Sequence, residues 1–175
     1  MAVETPSPAA PARLRSNVPN PRVLKAINPL VAGILRSRFH GLFSSYALLL
    51  TFTGRRTGKT YSTPVGYIAD GDTLSVFSST HWWKNLRGGA PVSVVLRGQA
   101  RTGRAEVLEA PEAVLAVVDG LIERYGPRKT GQWVGIGLDV TPPPSRAEIA
   151  AAMRGRVVVR IALEETSAAG DSGGK

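Results

Sequence analysis

Cysteine is absent from the chain, and histidine occurs only as His40 and His81. Disulfide bonds and thiolate metal ligands are thereby excluded, and two histidines are too few for a histidine-based metal cage. No apolar run reaches the roughly 18 residues that a membrane-spanning helix needs. The first residues are rich in Ala and Pro and lack the apolar core of a secretory signal. We therefore expect a cytoplasmic protein that binds no metal.

Acidic residues are also scarce, with 13 Asp and Glu against 22 Lys and Arg. The formal net charge of +9 favours an anionic partner. That partner could be a nucleic acid, an acidic lipid surface or a polyanionic cofactor. A solvated surface without any partner would have the same composition. The charge alone therefore leaves these alternatives open.

The two ends of the chain have little to bury. Residues 1–20 are rich in Pro and Ala and residues 166–175 in Gly, Ser and Ala, so both are predicted to be disordered tails. Residues 21–165 are enough for one domain with its own core. Within that domain, apolar spacing over residues 28–43 predicts an amphipathic helix. Its arginines leave open a peripheral contact with anionic lipid.

Short apolar segments separated by turn residues predict strands over much of the domain. Asp70-Gly71 is typical of a hairpin turn between two of them. Strict alternation of strands and helices is missing, which favours a mainly β (α+β) fold, an antiparallel barrel with flanking helices. The six predicted strands are 46–53, 60–69, 73–78, 92–96, 100–108 and 156–163.

Two further helices are predicted near the C-terminal end of the domain. One spans about residues 111–125, where apolar residues recur at helical spacing. Residues 126–144 then form a predicted Gly- and Pro-rich loop, long enough to have a function. Ser145 and Glu148 have the spacing of a capping box for a brief second helix.

The most basic turn of the chain is residues 54–60 (GRRTGKT). It is not a nucleotide P-loop, because only three residues separate its glycines and a strand follows it instead of a helix. Its two glycines permit a tight turn with backbone N–H groups facing outward, and Arg55, Arg56 and Lys59 surround that turn with positive charge. The segment therefore predicts a cradle for a phosphate or carboxylate. A charged hairpin tip that only keeps a sheet edge soluble is the alternative.

A second cluster, residues 78–86 (SSTHWWKNL), combines hydroxyl, amide and aromatic side chains. Thr80 is a candidate N-cap for a short helix that ends near Arg87. The adjacent Trp82 and Trp83 must point to different faces of this helix, so one of them fits the core most easily. The other is available to cover a planar ring, unless both pack on the barrel.

Taken in order, these segments resemble the deazaflavin-dependent nitroreductase and quinone reductase family. The resemblance is carried by residues 48–65 (LLLTFTGRRTGKTYSTPV), by Asp70-Gly71, and by residues 82–86 (WWKNL) followed by Pro91. It runs from about residue 28 to residue 108. It implies a six-stranded antiparallel split β-barrel, like those that bind FMN, and a binding site for the reduced deazaflavin coenzyme F420.

The resemblance also implies which residues bind the cofactor. The basic turn would meet the coenzyme phosphate or its glutamyl tail, and the strand after it would line the deazaflavin edge. The end of the 73–78 strand would form the floor beneath the ring, and the tryptophan helix would close the site. The implied residues are Arg55, Arg56, Thr57, Lys59, Tyr61, Ser62, Thr63, Pro64, Val65, Gly66, Phe77, Ser78, Ser79, Thr80, Trp82 and Asn85.

The implied activity is hydride transfer from reduced F420 to a quinone, an enone or a nitro-type electrophile. The cofactor supplies that chemistry, so no catalytic dyad or triad is required of the protein. The proton-donor candidates are Tyr61, Tyr67, Tyr125 and Ser79, without a ranking among them. Trp133, in the predicted 126–144 loop, is a candidate lid over the substrate.

Three other functions remain open at this stage. The same barrel could bind FMN or haem, or it could be a non-enzymatic basic β-domain on a nucleic acid or a membrane surface. Nucleic acid is disfavoured because the basic residues do not interleave with aromatic ones on successive strand positions. A homodimer is suggested only by analogy with related split barrels.

Overall fold

The computed structural model describes Leu14 and residues 47–164. The predicted 28–43 helix, the lipid contact assigned to it and the 166–175 tail lie outside the described residues. No helix in the described part combines the length and the apolar character needed to cross a membrane. The strands are β1 (Ala47–Thr53), β2 (Thr60–Gly66), β3 (Ile68–Asp70), β4 (Thr73–Ser78), β5 (Ala90–Leu96), β6 (Gln99–Leu108) and β7 (Val157–Leu163); the helices are a 3-10 helix (His81–Leu86), α1 (Pro111–Val134) and α2 (Arg146–Ala152).

The strands form one antiparallel sheet in the order β2-β1-β5-β6-β7-β4-β3, which confirms the mainly β prediction. The described sheet has seven strands and not the predicted six, because the segment predicted as one strand, 60–69, is two. Its first part pairs with β1 at one edge, and its second part pairs with β4 at the other. Tyr67 lies between them with its side chain in the core, 8% exposed. The sheet therefore curls until consecutive segments of the chain form its two edges.

Two apolar clusters hold this curled sheet together. The inner cluster lies inside the curl and takes alternate residues of the strands, among them Leu48, Leu50 and Phe52. The outer cluster lies between the other face of the sheet and both helices, and Leu14 is buried in it. β1 contributes buried residues on both of its faces, as its continuous apolar run predicts.

The helical region differs from the prediction at one point. α1 continues to Val134, so the first part of the predicted 126–144 loop is helical. Gly126 interrupts it with φ 80° and ψ 163°, and Pro127 follows directly. A residue with positive φ ends one helical segment, and proline is well suited to open the next. The Gly and Pro that suggested a loop thus mark a kink. The predicted Ser145 capping box is confirmed at α2.

Candidate active site

The basic turn lies between β1 and β2, where the sequence places it. The N–H of Gly54 donates to the Lys59 carbonyl at 2.8 Å, and the N–H of Gly58 donates to the Gly54 carbonyl at 2.8 Å. Gly58 has φ 64°, a conformation that favours glycine. The Lys59 N–H donates to Thr57 Oγ1 at 3.3 Å. We call residues 54–59 the basic hairpin.

The backbone of the basic hairpin is less available to an anion than the sequence predicts, because most of its N–H groups donate within the protein. The anion-binding capacity lies instead in the side chains. Arg55, Arg56 and Lys59 are exposed and form no salt bridge with any residue of the described part of the chain. Three cations on one turn make the hairpin a site of positive potential.

The basic hairpin and the 3-10 helix are in direct contact through Asn85. The N–H of Arg55 donates to Asn85 Oδ1 at 3.1 Å, and Asn85 Nδ2 donates to the Trp82 carbonyl at 2.9 Å. The two most distinctive segments of the sequence therefore meet in one place. Thr80 is the N-cap residue of this helix, as predicted, but its side chain makes no capping bond to the described helix residues.

Three aromatic rings form a ledge beside this junction. The Phe52 ring stacks with Tyr61, at a centroid distance of 5.9 Å, and with Trp82, at 5.8 Å. Tyr61 is 42% exposed, and its hydroxyl lies 3.2 Å from Thr57 Oγ1 on the hairpin. Trp83 is 9% exposed in the inner cluster, and the partly buried Trp82 packs against the same cluster. Both tryptophans therefore contact the barrel, which is the alternative that the sequence left open. We call Tyr61, Phe52 and Trp82 the aromatic ledge.

The other predicted cofactor residues lie further along β2 and at the end of β4. Ser62 pairs with Thr51 through their hydroxyls at 2.9 Å, and Val65 packs against the inner cluster. Thr63 and Pro64 are half-buried between them. β2 thus extends from the basic hairpin as a partly open edge strand, with seven residues that span about 20 Å.

At the end of β4 the hydroxyls are partly committed to each other. Ser78 is buried; its Oγ donates to the Thr80 carbonyl and accepts from the Thr80 N–H, both at 3.3 Å. Ser79 is exposed. Phe77 and Gly66 line a small cavity of about 160 Å³ together with Trp133. The structure therefore places Phe77 and Gly66 beside Trp133 rather than beside the basic hairpin.

The four proton-donor candidates lie in different places. Tyr61 is part of the aromatic ledge, Ser79 is on the surface, and Tyr67 is buried in the inner cluster. Tyr125 lies on α1, in edge-to-face contact with Trp133 at 5.0 Å. Trp133 is a helix residue and not part of a mobile loop.

Sequence reasoning missed two features of this region. Phe52 was predicted only as an apolar strand residue, and its stacking position follows from its register opposite Tyr61. A cavity of about 710 Å³ lies on the outer face of the sheet. The proton-donor candidate Tyr125 lines it, and none of the predicted cofactor residues does. No local motif marks that cavity, because its walls come from five different elements and from the turn at Gly89.

A charge pair stabilises the far side of the 3-10 helix. Arg87 Nε donates to Glu109 Oε1 at 2.6 Å, and the Arg87 guanidinium lies 4.9 Å from the Trp83 ring. The hydrogen bond from Arg87 lowers the pKa of Glu109, and the same bond raises the pKa of Arg87. This pair anchors the end of the helix to the end of β6.

Comparisons with known proteins agree with the resemblance. Residues 35–118 match the family model of the F420H(2)-dependent quinone reductases, which confirms the likeness that the motifs indicate and supports an F420-dependent oxidoreductase. No protein of curated function is significantly similar in sequence.

Three solved structures are among the similar ones. An F420-H2 dependent reductase is 18% identical, covers 66% of this chain and 92% of its own, and has a TM-score of 0.40. The FAD and heme binding protein from Mycobacterium smegmatis is 21% identical over 74% of this chain and 67% of its own, with a TM-score of 0.41. The heme storage protein HutZ from Vibrio cholerae is 14% identical over 78% and 89%, with a TM-score of 0.43.

Proposed function

We propose that this chain is a reductase that binds reduced coenzyme F420 and passes a hydride from it to a quinone, an enone or a nitro-type electrophile. The observation that carries the proposal is the junction at Asn85, where the basic hairpin meets the aromatic ledge. The family match over residues 35–118 supports the choice of cofactor.

The residues at the junction fit a flat molecule with an anionic tail. Arg55, Arg56 and Lys59 offer charge that no described residue neutralises, which suits phosphate and carboxylate groups. The aromatic ledge, with exposed area on Tyr61, offers a surface for a planar ring. FMN has one phosphate and no glutamyl tail, so the three cations favour F420 over FMN.

In the proposed mechanism the bound coenzyme supplies the hydride chemistry. The cations of the basic hairpin hold its tail, and Asn85 fixes the hairpin relative to the helix. The aromatic ledge orients the ring and excludes water from one of its faces. The Tyr61 hydroxyl, next to Thr57 Oγ1 and accessible to solvent, is the best-placed donor of a proton to the reduced substrate. A homodimer, by analogy with related split barrels, and a lipid contact through residues 28–43 are further parts of the proposal.

The test is a titration of the purified protein with F420 and with FMN, followed by fluorescence. F420 should bind with a micromolar or lower dissociation constant and more tightly than FMN, and its affinity should fall as the ionic strength rises. A variant with Arg55→Gln, Arg56→Gln and Lys59→Gln should lose most of that salt dependence. Arg154→Gln, a change of the same kind on an exposed arginine beyond α2, is the matched control. The proposal would be refuted if the protein bound FMN more tightly than F420. It would also be refuted if the triple variant bound F420 with the same affinity and salt dependence as the wild type.

A further inference from the structure

The cavity of about 710 Å³ lies on the face of the sheet opposite the inner cluster. Its floor is formed by β3, β4, β7 and β6, and α1 covers it from one side. The volume falls within the range of sites for small molecules, about 300–1,000 Å³. It shares Ile68 and Ser75 with the small cavity beside Trp133. We call it the arginine cavity.

The register of the sheet explains why there is space here. Two rows of residues cross the floor from β3 to β6, and three of their four central positions hold small residues, while the fourth is Arg160. Thr73 and Ala162 are opposite each other in one row, and Ser75 is at the centre of the other. On α1 the facing residue Gly120 has no side chain, and a Cβ built there would meet no described atom within 4 Å. The cavity therefore results from small residues in both layers.

Positive charge is concentrated at one side of this floor. Arg160 is opposite Glu106, and Arg104 is opposite Ala162, so the two arginines are diagonal neighbours on adjacent strands. Diagonal positions are about 7–8 Å apart, which long side chains span. Both guanidinium groups can therefore reach one small anion between them.

The arginines of the cavity are not equally engaged. Arg124 is neutralised by Asp70, with Nη1 3.0 Å from Oδ1. Arg104 donates one N–H to the Gly89 carbonyl at 2.9 Å, and its other donors have no partner among the residues that the structure describes. Arg160 forms no ion pair with any described residue, Glu106 included, although the two are opposite in register.

We infer that the arginine cavity binds a small amphipathic carboxylate. The carboxylate accepts hydrogen bonds from Arg104 and Arg160, the pairing for which guanidinium groups are best suited. The apolar body of the ligand packs against Ile68, Val117 and Leu121, which line the same cavity. Neither the basic hairpin nor the aromatic ledge lines this cavity, so the inference does not depend on the proposed function.

The experiment measures binding of 2-naphthoate to the full-length protein by calorimetry, with 2-naphthalenemethanol as its uncharged analogue. The carboxylate should bind and the alcohol should bind at least about tenfold more weakly, the loss expected when a charged hydrogen bond is removed. Arg104→Gln and Arg160→Gln should each weaken naphthoate binding by about tenfold or more. Arg154→Gln, which removes the same charge beside a different groove, should leave it unchanged.

A second variant tests the position of the site without removing charge. Gly120→Leu should fill the cavity and abolish naphthoate binding, while the thermal transition is retained, because leucine is a better helix former than glycine. F420 titration of this variant should match the wild type, which separates failure of this inference from failure of the proposed function. The inference would be overturned if 2-naphthoate and 2-naphthalenemethanol bound equally well. It would also be overturned if naphthoate binding were retained in Gly120→Leu or in both arginine variants. A wild-type dimer that Gly120→Leu converts to monomer would overturn it as well, since a second copy would then be the occupant.

Discussion

At the scale of single residues, Asn85 joins two segments that are 30 positions apart in the chain. Its carbonyl oxygen accepts from the Arg55 N–H, and its amide group donates to the Trp82 carbonyl. Both bonds join the side chain to backbone groups, one in the turn and one in the short helix. The residue therefore sets where the hairpin cations lie relative to the aromatic ledge.

Replacing Asn85 tests this positioning role. Asn85→Ala should weaken F420 binding by about tenfold, the equivalent of one lost hydrogen bond, since the hairpin is released. Asn85→Asp keeps an acceptor for the Arg55 N–H but loses the donor to the Trp82 carbonyl and adds a negative charge beside the hairpin, so it should weaken binding at least as much as Asn85→Ala. Fluorescence titration measures both. Equal affinity of the Ala variant and the wild type would show that the hairpin position does not matter for the cofactor.

The ion pair between Arg87 and Glu109 should contribute to the free energy of unfolding in a way that depends on pH. The folded-state pKa of Glu109 is lowered by the bond from Arg87, so its contribution is present at neutral pH. It should be lost as the pH falls below the ordinary glutamate range and through the lower folded pKa. Thermal melts at neutral and acidic pH should show that Glu109→Gln removes part of the acid dependence of the wild type.

Glu123→Gln is the control for that experiment. Glu123 is exposed on α1 and forms no ion pair within the described residues. The Glu123→Gln variant should therefore show the same acid dependence of the melting temperature as the wild type. If Glu109→Gln has no larger effect than this control, solvent screens the pair too strongly for it to matter.

At the scale of elements, the predictions succeed where one local rule decides the conformation. Alternation predicts most of the strands, and the Ser145 box predicts the start of α2. The predictions fail where pairing or packing with distant segments decides the conformation. The segment 60–69 looks like one strand, but the sheet curls and its two halves pair at opposite edges. Gly126 and Pro127 look like the start of a loop, and only the packing of the following turns, with Thr130 and Val134 buried, shows that a helix resumes.

The kink at Gly126 should make the free energy of unfolding sensitive to substitution at this position. Its φ of 80° and ψ of 163° lie in a region that is essentially restricted to glycine, so Gly126→Ala should cost about 1–3 kcal/mol. Gly120 lies on the same helix, with open space where a Cβ would be. Gly120→Ala should therefore be neutral or stabilising by up to about 1 kcal/mol. Urea unfolding of both variants provides the comparison. Similar effects of the two changes would contradict the kinked geometry.

At the scale of the whole molecule, sequence motifs indicated what the site contains but not how it is distributed. The basic hairpin, Trp82 and Asn85 come together as the ordered motifs imply. Phe77 and Gly66, predicted to lie at the deazaflavin ring, line a cavity beside Trp133, and Gly66 is there because β2 carries the chain about 20 Å away from the hairpin. The arginine cavity has no sequence signature, since the approach of Arg104 to Arg160 depends on the β6–β7 register.

The central claim is that the basic hairpin and the aromatic ledge bind one cofactor together. The chain has three tryptophans, so a protein labelled with ¹⁵N-tryptophan should give three indole N–H signals in an NMR spectrum. Addition of F420 should move the Trp82 signal most, and the variant with Arg55→Gln, Arg56→Gln and Lys59→Gln should need far more F420 for the same shift. The account would be contradicted if the Trp82 signal did not move when F420 binds. It would also be contradicted if the triple variant needed no more F420 than the wild type for the same shift.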